Sequence, residues 1–545
     1  MNRSFLSVGR PALIPLVVLL TACSGEVARD TTFQSAAGQV KPASTVSVTK
    51  FAAARFAEQA TFGPNPEVVA QIQAKGFSKW IDDEFALPVS QMDTSPIVKY
   101  NSQIPELSKS AYKYARNEIV VSLSQAPDQL RRRVAWSLSQ FITTAINKIE
   151  PYGGMSYSNF LQRNAFIDFG TLIRRVTLNP SMAAYLDNFQ NRPTTPECPF
   201  CSPNENYARE LLQLFTLGTI KLNQDGTPQR DSKGRLLETY TQQDVEELAR
   251  ALTGWSFQYN PEQTDYRRFD GEMVYDTGSG SVAHDRGAKT VLGTSIPANL
   301  DASKELDQVV SIIMGHPNLA PFISTRLIQH LVTSEPTPAY VGRISAVFDN
   351  NGKGVKGDMK AVVKAILLDE EARRGDVPGA STANFGKMRE PILWYTGLLR
   401  GLNCAKPLQW EDAGWGPMQP VSQMPFDPSS VFSYYAPTDR APGSNLLAPE
   451  QKLLTAEEFG FRFGIRQAAF ATAGCNLGIF GQALANNPAA FVDLVGDRFF
   501  RGAIPAALRQ TLIALAPEIQ GNTPNDRALT LLIFSLSSPY YGVMK

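Results

Sequence analysis

His284 and Asp285 stand side by side, and Lys289 follows four residues after Asp285. An imidazole beside a carboxylate suits metal ligation or proton transfer near neutral pH. A second concentration of polar groups lies at Asn204, Glu205, Asn206, Arg209 and Glu210, and a third at Asp244, Glu247 and Arg250. From these the sequence nominates His284, Asp285, Glu210 and Arg209 as catalytic candidates. Asn204, Asn206, Lys289 and Trp415 are the candidates for substrate binding. A divalent cation is the cofactor such residues could use, but the chain has only three histidines, His284, His316 and His330, so a multi-histidine site has little to draw on.

Each candidate also has a blander role. His284 could be a structural hydrogen-bond partner, and Lys289 an ordinary strand-edge lysine. Glu205 sits where a helix start favours negative charge, and Arg209 is four residues on, within reach of it. His316, before Pro317, reads as a cap. His330 stands among apolar residues as a partly buried group. Familiar catalytic signatures are missing: there is no Gly-x-Ser-x-Gly elbow, Walker loop, His-Glu-x-x-His helix or dinucleotide fingerprint. Asp349-Asn350-Asn351-Gly352 begins like a calcium loop but fails, because Lys353 and Lys360 occupy the fifth and twelfth ligand positions.

These residues need elements to hold them. Ser202-Pro203-Asn204-Glu205 has the spacing of a capping box and predicts a helix as far as Leu217, stopped by Gly218, with Tyr207, Leu211, Leu214 and Phe215 as its apolar stripe. Thr241 and Asp244 predict a second helix whose Val245, Leu248, Ala249 and Leu252 share one face. Between them, Asp225-Gly226 and Lys233-Gly234 punctuate an expected β-hairpin. Leu130, Val134, Leu138 and Phe141 recur at helical spacing, and Arg131-Arg132-Arg133 in that helix reads as a solvated or ion-paired face. Residues 255–297 are the least helical stretch, and helical pattern resumes over 302–374. Residues 404–449 form a long loop-like region dense in Pro, Gly, Trp and Tyr. The expected fold class is mainly α: a large multi-helix globular body with a small β-hairpin excursion and a long C-terminal loop region. The expected organisation is a main helical domain over 51–375 and a C-terminal helical part over 376–545 packed on it.

The 545 residues include 43% hydrophobic and 10% aromatic side chains, enough for a sizeable core. Lysine and arginine number 52 against 51 acidic residues, which gives +1 and argues against a nucleic-acid partner. Residues 1–22 read as a signal peptide: Arg3 and Arg10 are followed by an apolar run too short to span a bilayer as a mature helix. Leu20-Thr21-Ala22-Cys23 marks Cys23 as the lipidation site, and Ser24 after it points to the outer membrane. Residues 23–50, polar and without apolar period, read as a tether. The remaining Cys198, Cys201, Cys404 and Cys475 are expected as two disulfides in an oxidising compartment, Cys198 with Cys201 and Cys404 with Cys475; a redox-active pair or a zinc site is the sharper alternative. Trp410, Trp415, Phe432, Tyr434 and Tyr435 would stack on sugars or a partner protein if exposed, and would fill core if buried.

Three segments in order carry a resemblance: Pro203 to Gly218, Tyr240 to Trp255, and His284 to Gly293. With Ala54 to Pro64 near the start and Pro180 to Asn188, they resemble the bacterial exported family designated domain of unknown function 1800. The resemblance implies a secreted or membrane-attached, mainly helical protein. It also implies a possible partner, since members often lie beside genes of a second exported family, numbered 1501, similar to the sulfatase and phosphatase fold. The chain departs from the family pattern at the Cys198–Cys201 loop, which looks like an insertion, and at Phe426 to Tyr435, where many members carry a Pro-Asn-Val-Ala-Gly-Trp-like stretch. The expectation is an envelope lipoprotein with hydrolase-like or ligand-binding activity on an envelope or extracellular polymer. Its rival is a non-catalytic scaffold that binds a secreted partner.

Overall fold

Asparagine, aspartate and threonine start the helices of this chain by accepting from the backbone N–H groups that the first turn leaves unpaired. Asn65 accepts from Val68, Asn179 from Ser181 and Met182, Asp301 from Lys304, and Thr337 from Tyr340. The computed structural model describes residues 47–98, 105–258, 268–275, 283–404, 421–465, 470 and 474–545. Cys23, Trp410 and Trp415, with the expected signal and nearly all of the tether, lie outside the described residues.

The chain is mainly α, as the apolar periodicity predicts. Leu130, Val134 and Leu138 on the Gln129–Ser139 helix are fully buried. The arginines of that helix are buried too, not solvated. Arg132 and Arg131 pair with Asp128, and Arg133 donates to the carbonyl of His330 at 2.8 Å. β-structure among the described residues is confined to antiparallel pairs of short strands. Trp255–Ser256 pairs with Val274–Tyr275, Lys289–Val291 with Thr294–Ile296, and Lys387–Met388 with Val543–Met544. The excursion over 219–239 turns at Gly226 and Gly234, each at φ +78°. Isolated bridges rather than continuous strands hold it, at Ile220 with Glu238, Leu222 with Pro228 and Arg230 with Leu236.

Residues 47–545 form one compact unit. Contacts cross the boundary expected at 375/376. Glu58 on the Lys50–Ala60 helix is ion-paired with Arg389 and Arg501, and Arg55 reaches Asp376 and the carbonyl of Lys545. Gly63, at φ +129°, passes so close to Gly397 that a Cβ would lie 2.7 Å from its Cα. Only glycine allows that approach.

Cys198 is bonded to Cys201 and Cys404 to Cys475, as the sequence reading paired them. The second bridge spans a sequence separation of 71 and the first a separation of 3. By loop-closure entropy they contribute about 4 and about 2 kcal/mol respectively. Thiol titration of the denatured, unreduced protein is expected to find none of these four cysteines reactive, and a count of three or more free thiols would overturn the pairing. Reduction should lower the melting temperature chiefly through Cys404–Cys475.

Candidate functional site

The second and third motifs dock on each other. The Gln242–Ala251 helix starts in a capping box, with Thr241 and Asp244 each accepting from the other's backbone. The same Asp244 uses its second oxygen to accept from Leu292 N at 2.8 Å, beyond the Lys289–Val291 strand. Glu247 accepts from Thr290 N at 3.1 Å and is ion-paired with Arg250. Arg250 places its fork on Asp285, with Nε to Oδ2 at 2.8 Å and Nη2 to Oδ1 at 3.1 Å. Burial pushes the Asp285 carboxyl up, but the Arg250 bonds, the Gly287 N–H and the Lys289 charge outweigh it and hold it below its ordinary value.

His284 is enclosed. Its Nδ1 lies 3.0 Å from the Thr253 carbonyl and its Nε2 2.7 Å from Glu305 Oε2, with the side chain fully buried. Both ring nitrogens face acceptors of the protein, so neither is open to a metal or a substrate proton. Lys289 is equally enclosed: its ammonium meets the carbonyls of Asp285 and Gly287 and lies 2.8 Å from Glu305 Oε1. In this arrangement the polar atoms of His284, Asp285 and Lys289, nominated for catalysis and substrate binding, are taken up by contacts within the protein. Among the described residues no group of three or more His, Cys, Asp or Glu side chains is arranged to hold a metal ion. Glu305, the hub of this cluster, was missed by sequence reasoning. In the first turn of the Ala302–Gly315 helix it reads as an acidic residue favoured by the helix dipole.

The first motif departs from its expected shape. Its helix begins at Asn206 rather than at a cap on Ser202, because Asn204 takes the capping work: its Oδ1 accepts from Asn206 N at 2.9 Å. The helix then widens into π-helical turns over Leu211–Thr216, where Leu217 N and Gly218 N both donate to the Leu212 carbonyl. An extra residue per turn shifts the stripe: Leu211, Leu212 and Phe215 are buried, and Leu214 is turned partly out. Arg209 bonds Glu205 at 2.6 Å and Gln242 at 3.0 Å, tying the first motif to the second at the surface. Glu210 keeps one buried carboxylate oxygen without a partner. Burial raises its pKa against the pull of Arg209, and burial together with the Glu210 charge pushes the Tyr240 hydroxyl up to about 12. Of the four catalytic candidates, Glu210 alone retains uncommitted chemistry.

An open cleft of ≈ 520 Å³ borders the start of this motif. Asp187, Asn191, Arg192, Asn204, Phe257 and Arg268 line it, with Phe189 and Gln190. Asn206 stands at its edge, donating to Asp187 Oδ2 at 2.8 Å. The rings of Phe189 and Phe257 stack at 3.9 Å between centroids. Asp187 and Gln190 hold left-handed backbone, at φ +57° and +53°, a conformation that carries some strain in a glutamine and turns the chain sharply beneath the cleft. Asn191 is nearly buried and accepts from Asn204 N at 2.7 Å, which fixes the cleft wall to the first motif. Of these residues the sequence reading nominated Asn204 and Asn206. The rest lie before the motif and after the second, and no spacing rule joins them.

In the C-terminal aromatic stretch Tyr434 donates its hydroxyl to the Met424 carbonyl at 2.6 Å, and Tyr434 and Tyr435 are only partly exposed. Phe432 is 40% exposed. The family model described as "Protein of unknown function (DUF1800)" matches residues 55–543 of the chain. No curated protein and no solved structure matches it.

Proposed function

The chain belongs to the DUF1800 family, and from that premise we propose that it is an envelope lipoprotein, anchored at the outer membrane through Cys23, that binds a polyhydroxylated polymer in the cleft beside the first motif. The open cleft carries this reading. Amides, a carboxylate and two arginines at its wall offer donors and acceptors to hydroxyl groups, and the Phe189–Phe257 pair offers an apolar ring face to the C–H face of a sugar. The enclosed contacts of His284, Asp285 and Lys289 favour binding over a hydrolase centred on those residues. The three motifs then serve as a brace that holds the cleft wall.

Co-sedimentation of the purified protein with cell-wall sacculi and with isolated extracellular polysaccharide tests the reading. Arg192 is exposed, so an Arg192→Glu variant should fold normally and bind at least about tenfold more weakly. Binding unchanged in the variant, or absent in the parent, would sink the proposal. Absence in the parent would favour the scaffold for a secreted partner, for which the exposed ring pair of Phe463 and Phe534, 5.1 Å apart, is the supporting observation.

A further inference from the structure

Arg326, on the Leu319–Leu331 helix, has no carboxylate partner among the described residues. Its guanidinium makes a single hydrogen bond, from Nη1 to Gln329 Oε1 at 2.9 Å, and lies over the Phe322 ring at 5.0 Å. Arg326 is half-buried, and more deeply buried arginines are met by carboxylates or by backbone carbonyls, as Arg133 is by the carbonyl of His330. Arg55, Arg132, Arg389 and Arg462 each meet a carboxylate, and Arg400 donates to the carbonyls of Gly63 and Ser124. A half-buried cation without a counter-ion costs stability, and an anion seated beside it would offset that cost. Burial, with no opposing carboxylate, draws the Arg326 pKa down to about 10.

The space in front of Arg326 is a cavity of ≈ 170 Å³, walled by Phe141, Leu214, Phe322, His330, Phe432 and Tyr435. Leu214 reaches it because the π-helical turns of the first motif rotate that side chain out of the core stripe. The His330 ring lies parallel to Phe141 and its Nδ1 is buried without a partner. Burial, then the Lys387 charge, lowers the His330 pKa to about 3, so the imidazole is neutral at neutral pH. The cavity therefore presents one fixed positive charge, a neutral ring nitrogen and mainly apolar walls. A dianion such as phosphate would remain uncompensated there, whereas a carboxylate matches the guanidinium fork in both geometry and charge.

We propose that this cavity is a second binding site, independent of the cleft, that takes a small carboxylate with an apolar body: the carboxylate on Arg326, the body between Phe141, Leu214 and Phe322.

Thermal melts of the purified protein test it, with benzoate as the probe. Benzyl alcohol supplies the body without the charge, and acetate the charge without the body. Millimolar benzoate should raise the melting temperature of the parent more than either control. Arg326→Met should melt at or above the parent in ligand-free buffer, because the site costs stability when empty, and its affinity for benzoate should fall at least about tenfold. Leu214→Trp, which fills the cavity and leaves the guanidinium, should also lose the response. Arg326→Met melting well below the parent would show that the guanidinium is structural. No benzoate shift in the parent, or the same shift in parent and variant, would equally overturn the proposal.

Discussion

His284→Ala is expected to destabilise the protein by about 2–4 kcal/mol, through the lost packing of a buried ring and a buried Glu305 oxygen left without its hydrogen-bond partner. The imidazole is held between the Thr253 carbonyl and Glu305. Without it, Glu305 keeps Lys289 as its charged partner among the described residues, in a site where both side chains are buried. The His284 segment would lose its bond to the Ala302–Gly315 helix, leaving the Lys289–Glu305 pair to hold the hairpin there. In a chain of this length the readout is the first melting transition rather than a global unfolding free energy, since two-state behaviour is not assured. A drop of several degrees, with polymer retention by the folded protein unchanged at low temperature, is the structural result. Replacing His284, Lys289 and Glu305 together by Leu, Met and Leu should recover much of the loss, because no buried charge is then left uncompensated. An unchanged melting temperature with abolished polymer retention would instead return His284 to a functional role.

Glu84→Gln is expected to stabilise the protein above neutral pH and to make little difference in acid. Glu84 is 7% exposed on the Phe77–Ala86 helix and accepts from Leu130 N at 3.0 Å. Burial raises its pKa from 4.5 to about 7, against the pull of the Leu130 N–H. The folded state therefore holds this proton more tightly than the unfolded chain. The stability it contributes is present below about pH 4.5 and is lost as pH rises through about 7. A difference of about 2.5 pH units corresponds to about 3 kcal/mol as an upper bound. Glutamine keeps the carbonyl that accepts from Leu130 and removes the titration. Melting curves of parent and variant from pH 5 to 8.5 should diverge as pH rises, with the variant higher. A constant offset across that range would show that the Glu84 carboxyl does not titrate there.

Much of the helical body was legible because its signals are local. Asn65 before Pro66, and Thr241 with Asp244, each satisfy N–H groups within three residues, so side-chain type and spacing are enough to read them. The same local rule misread Ser202. Its spacing to Glu205 was correct, but the helix starts one turn later, where Asn204, held by Asn191, accepts from Asn206 N. The stripe on the first motif failed at Leu214 for a related reason. A period of 3.6 residues assumes an unbroken α-helix, and the π-helical turns add a residue to the register.

The candidate site was legible only in its first-motif amides. Asp187, Asn191, Phe257 and Arg268 lie far apart in the chain or beside no motif, and what makes them a cleft is their convergence. Arg326 carried no signal, since an arginine on an amphipathic helix ordinarily reaches solvent and the missing carboxylate is visible only when its neighbours are in place.

By itself the sequence determined the class of the fold, the pairing of the four described cysteines and the family, because apolar period, capping spacing and motif order are properties of the chain. The roles of the polar residues were decided by tertiary structure alone. A histidine beside an aspartate is compatible with catalysis or with an enclosed hydrogen-bonding role. Only the distance to Glu305, brought in by a helix 21 residues later, distinguishes the two. Whether a charged group is spent or free depends on its partners and its access to water, and those are fixed when the helices pack.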